Sequence, residues 1–181
     1  MSNTVVVVPP EGCVLLSEKQ TPVCERPVSE QGEYHAFTLG KVDVSAFKAK
    51  LRSLSPDAWE DEHQEGNVKL KRPSHDAWGI KKIVFNFCDD FLLKVLDLPY
   101  SKDKEWRELL LPIYDAIGVD EDKIVRSLLA SMPPGMNIPV HHDTGYWVKH
   151  CHRIHVAIES GPGVDFFVGP TNDTVRKVYR F

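Results

Sequence analysis

From Ile124 onward the chain is cut into short segments by clusters of Gly, Pro and small polar residues. Pro133-Pro134-Gly135, Ser160-Gly161-Pro162-Gly163 and Gly169-Pro170-Thr171-Asn172-Asp173 read as turns. The segments around them, Lys123–Met132, His150–Ile158, Val164–Val168 and Val175–Phe181, read as strands. Short strands at this spacing predict a jelly roll or barrel. The expected class is therefore mainly β, with flanking helices.

The helices come from the first two thirds of the chain. Asp43 is a candidate N-cap for a helix on which Val44, Phe47, Leu51 and Leu54 recur at helical spacing, closed by Ser55-Pro56-Asp57. Ser101 is the expected cap of a second helix over Lys102–Ile117. Leu109, Ile113 and Ile117 would form its inner stripe, Pro112 would kink it and Gly118 would end it. Tyr34–Leu39 and Ile80–Cys88 read as strands, the latter alternating Ile83, Phe85 and Phe87 with Val84, Asn86 and Cys88. Residues 60–76 form an expected long loop. Residues 1–32, punctuated by Pro9, Pro10, Pro22 and Pro27, are expected to be an arm that is disordered or lays Val5–Val8 as an edge strand on a domain spanning 33–181. Val175–Phe181 still alternates where the sequence stops. An open edge there predicts a fragment of a longer protein, incomplete at its C-terminal end.

With 181 residues, 42% of them hydrophobic, the chain has enough apolar surface for a core. Its net charge is −4 and its basic residues are scattered, which argues against nucleic acid or an anionic membrane as partner. No run reaches the roughly 20 apolar residues of a membrane span. Of Cys13, Cys24, Cys88 and Cys151, none forms a Cys-x-x-Cys pair. A cytoplasmic protein is the expectation.

Five of the eight histidines (His141, His142, His150, His152 and His155) fall between residues 141 and 155, with Asp143 and Arg153 among them. Side chains alternate along a strand. If 139–143 is extended, His141 and Asp143 share a face and make half of a metal cage. A third ligand would complete the 2-His-1-carboxylate set that suits ferrous iron. On 150–158, Arg153 and His155 share a face, and the Arg153 guanidinium matches a carboxylate with two hydrogen bonds. Two other readings remain open. One is a cupin-like module that binds a small organic acid through Arg153 without metal. The other is a zinc site using His141, His150 or His152, and Cys151.

The string 132–145, Met-Pro-Pro-Gly-Met-Asn-Ile-Pro-Val-His-His-Asp-Thr-Gly, followed by His-Arg-Ile-His-Val (152–156), resembles the aspartyl/asparaginyl β-hydroxylases. The likeness covers residues 120–181 and, loosely, Trp59, His75 and 80–88. It implies a double-stranded β-helix and an oxygenase dependent on iron(II) and 2-oxoglutarate. With dioxygen, such an enzyme hydroxylates an amino-acid side chain, free or in a polypeptide. Carried over by position, His141 is an iron ligand and Asp143 stands where some members have an acid. Arg153 and His155 contact 2-oxoglutarate. A small polar residue before the Pro-Gly turn is also implied; Ala130 aligns there, with Ser131 adjacent. The second iron-binding His of the family is expected beyond Phe181.

Overall fold

The computed structural model describes residues 2–8, 37–60, 76–89, 92, 94–141, 143, 146–168 and 176–180. The described residues combine helices with small antiparallel sheets, and every strand pair is antiparallel. Contacts divide the chain into two compact units. The first holds residues 1–45, 116–118 and 140–181, and the second holds 46–115 and 119–139. The boundary expected at 32/33 lies outside the described residues, as does the loop 61–75.

In the first unit, β1 (Ser2–Val8) lies between β2 (Phe37–Asp43) and β6 (Arg153–Val156). This corrects the expectation of an edge strand: both sides of β1 are hydrogen-bonded. A run of four valines suits such a position, because β-branched side chains pack well on a pleated surface. Val5 pairs with Gly40 on one side and with Val156 on the other, and the β1–β2 register shifts between Val5 and Val6. In the same unit β7 (Asp165–Val168) pairs with β8 (Arg176–Arg180). The turn expected at 169–173 lies outside the described residues.

The second unit is built on β3 (Lys81–Cys88), flanked by β4 (Val95–Asp97) and β5 (Ser127–Ser131). The expected alternation along β3 does not translate into one wet face: Lys82, Ile83, Val84 and Phe85 are all buried. Its aromatic and β-branched residues thus serve a strand covered on both faces. Trp106 is the hub of this core. Its ring lies 5.3 Å from Phe85, 5.9 Å from Phe47 and 5.7 Å from Tyr100, each pair tilted as aromatic quadrupoles prefer.

The first helix, α1 (Ser45–Ser53), begins where the Asp43 carboxylate accepts the Ser45 N–H at 2.9 Å, and it buries Phe47. Hydrogen bonds from Ser45 hold the Asp43 carboxyl below the usual range. The second helix, α2 (Lys104–Ile117), starts two residues later than expected. Pro99–Lys102 forms a separate turn, in which the Ser101 hydroxyl donates to the Leu98 carbonyl instead of capping α2. Asp103 is the cap, accepting the Trp106 N–H at 3.1 Å. The buried stripe is accordingly Trp106, Leu110, Ile113 and Tyr114, not Leu109, Ile113 and Ile117. The helix runs through Pro112, which is exposed. Gly118 ends it with φ +69°, and the Val119 N–H returns to the Tyr114 carbonyl.

Candidate metal and acid site

The chain leaves β5 through the Pro133–Met136 turn, closed by the Met136 N–H on the Pro133 carbonyl, with Gly135 at φ +79°. Pro at the second position and a left-handed Gly at the third are what such a turn requires. The described residues of 137–143 then form no strand. The premise that His141 and Asp143 share a face of an extended segment is therefore corrected. Pro139, which has no N–H to give a ladder, is one reason the segment stays irregular.

The two side chains nevertheless converge. His141 Nε2 stands 3.8 Å from Asp143 Oδ1, too far for a hydrogen bond. The other oxygen, Oδ2, accepts Nη1 of Arg153 at 2.8 Å. Asp143 thus turns one oxygen to the imidazole and the other to the guanidinium. Arg153 is only 23% exposed in its side chain and Asp143 43%, so this ion pair is partly withdrawn from water. Among the described residues, Arg153 makes this one hydrogen bond, through Nη1.

The strand expected over 150–158 is reduced to β6, residues 153–156. Tyr146–Lys149 is a single tight helical turn, continued by the His150 N–H on the Trp147 carbonyl. The ring centroids of Tyr146 and His150 lie 4.0 Å apart, the planes tilted by 31°. On β6, the partners of Arg153 and His155 are Val8 and Val6 of β1. Arg153 and His155 therefore share a face, as expected. Ile154 and Val156 on the other face are half-buried.

His155 packs against Phe166 of β7, ring centroids 4.9 Å apart. Desolvation pulls its imidazole down to about 4; the Arg153 cation adds to this and the Asp143 carboxylate opposes it. The ring still presents surface to solvent, although protein crowds around it. With its pKa lowered, the ring is neutral at physiological pH. His152, half-buried, is lowered by burial as well.

Ser131 ends β5 in the second unit, half-buried and paired in register with Lys81. Phe166 was not signalled by the sequence as a neighbour of His155, since Asp165-Phe166-Phe167-Val168 does not alternate. Among the described residues no group of three or more His, Cys, Asp or Glu side chains is placed to hold a metal ion. His142 lies outside them. Cys88 and Cys151 are not disulfide-bonded. No described helix is long and apolar enough to cross a membrane.

Comparison with family models, with curated proteins and with solved structures finds no match to this chain.

Proposed function

We propose that the chain is an iron(II)- and 2-oxoglutarate-dependent dioxygenase that hydroxylates an amino-acid side chain, free or in a polypeptide, in the cytoplasm. The observation that carries this reading is the split carboxylate of Asp143, with Oδ1 toward His141 and Oδ2 on Arg153. The pair supplies two donors of the kind ferrous iron takes, one imidazole nitrogen and one carboxylate oxygen. At 3.8 Å apart the two atoms are close enough to touch one ion at typical ligand distances of about 2.1 Å. His141 and Asp143 would hold the iron, and a further His would complete the set.

Iron, when bound, supplies the activation of dioxygen at the expense of 2-oxoglutarate. The rest falls to the chain's own side chains. Arg153 offers its guanidinium to an incoming carboxylate. His155, neutral, lines the same strand face without adding a second cation. Phe166 shields one side of that ring. Ser131 is the further residue that this reading assigns to 2-oxoglutarate. A jelly roll is the finer fold reading, and the antiparallel pairing of the described strands supports it.

Succinate formation from 2-oxoglutarate, with iron(II) in air, is the test. It is expected in the wild-type chain supplemented with amino acids or peptides, and lost in His141→Ala. Iron-loaded protein that forms no succinate sinks the proposal. Calorimetry separates the simpler acid-binding module: 2-oxoglutarate bound equally well with and without metal would favour it.

A further inference from the structure

We propose that Asp143 is an internal competitor at the anion site: its carboxylate holds the Arg153 guanidinium, and an incoming organic acid must displace it to bind. The inference rests on the acid-anchoring role given to Arg153 above, not on iron, and makes Asp143 the residue that sets how tightly the acid is held.

A guanidinium carries one positive charge, and here that charge is already answered. Arg153 Nη1 donates to Asp143 Oδ2 at 2.8 Å, in a pair partly withdrawn from water. The contact has the chemistry that an organic acid would use, a charge-assisted bond from N–H to a carboxylate oxygen. His155, on the same face of β6, adds no second cation: desolvation lowers its pKa to about 4, and its ring centroid lies 4.9 Å from that of Phe166. Arg153 and Asp143 together therefore present no net charge to an arriving anion. A carboxylate that joined Arg153 with Asp143 still in place would meet a like charge beside it, where screening is weaker than in bulk water.

The exposures of the two partners indicate which one gives way. Arg153 belongs to β6, in register with β1, and its side chain is 23% exposed. Asp143 lies outside any strand and is 43% exposed, so its carboxylate is the better placed to regain water on release. Release and capture then exchange one carboxylate for another on the same cation. The free energy that displaces Asp143 is subtracted from the affinity for the acid, and a neutral side chain at 143 removes that subtraction.

The experiment is calorimetric titration of the metal-free full chain with 2-oxoglutarate, in mildly alkaline buffer where imidazoles are uncharged. Wild type, Asp143→Asn, Asp143→Ser, Arg153→Met and the double variant Asp143→Asn with Arg153→Met are compared, each first shown by thermal melting to be folded. Both Asp143 variants are expected to bind about tenfold more tightly than wild type, or better. Arg153→Met is expected to lose binding, and so is the double variant, because the gain at 143 acts only through Arg153. A general structural role of Asp143 would not make the gain depend on Arg153. Affinity unchanged or weakened in both Asp143 variants overturns the proposal, as does a gain that persists without Arg153. Absence of binding by every one of these proteins also overturns it. The oxygenase reading is decided separately, by succinate formation with iron.

Discussion

The Tyr114 hydroxyl donates to the Ser127 hydroxyl across 2.9 Å, joining α2 to β5 within the second unit. The phenol is largely enclosed, and burial raises its pKa above the usual 10.0, with the Ser127 bond opposing.

Tyr114→Phe is expected to cost about 1 kcal/mol in urea unfolding, the worth of one partly buried hydrogen bond. A second signature lies in alkaline solution. The folded state favours the neutral phenol, so this contribution is full below pH 10 and falls as pH rises through the raised value. The variant should have a flatter alkaline limb than the wild type. Identical limbs would show that the hydroxyl titrates freely in the folded chain.

His155 acts at the other end of the pH scale. Its pKa is depressed, so the unfolded chain binds a proton that the folded chain refuses. Stability from this group is present above the ordinary value of 6.5 and is lost as pH falls toward about 4. His155→Phe should flatten the acid limb of the unfolding free energy in that window. An unaltered limb would mean that the ring titrates as it does in water.

Lys82 is a buried cation, its side chain 3% exposed, and its Nζ meets Asp76 Oδ1 at 2.8 Å. Asp76→Asn removes the countercharge and is expected to destabilise by about 1–3 kcal/mol. Replacing both partners, Lys82→Met with Asp76→Asn, should recover much of that loss, because the buried cation is removed together with its partner. A double variant as unstable as the sum of the two single ones would show that the pair is not coupled.

What the sequence conveyed depended on whether a signal was local. Ile83, Val84 and Phe85 marked β3 as a strand by their side-chain types alone. Which of its faces is covered depends on elements far away in the chain, so the alternation there was a poor guide to burial. The phase of α2 turned on a two-residue choice of cap. Pro99 starts its own short turn, Asp103 takes over the role assigned to Ser101, and the buried stripe rotates to Trp106, Leu110, Ile113 and Tyr114.

At the candidate site the same distinction holds. Parity placed Arg153 and His155 on one face because β6 is a strand. It failed for His141 and Asp143, whose segment is irregular. Those two lie 3.8 Å apart, and Asp143 is also bound to Arg153, ten positions away, by an ion pair that leaves no trace in any periodicity.

The seating of β1 between two neighbours changes how the beginning of this chain should be handled in the laboratory. Among the described residues, β1 is the sole partner of the strand that carries Arg153 and His155. Clipping the first eight amino acids would unzip that strand along its length. A purification handle fused there, or a stray protease cut near Pro9, would reach the histidine-rich corner as directly as mutating it.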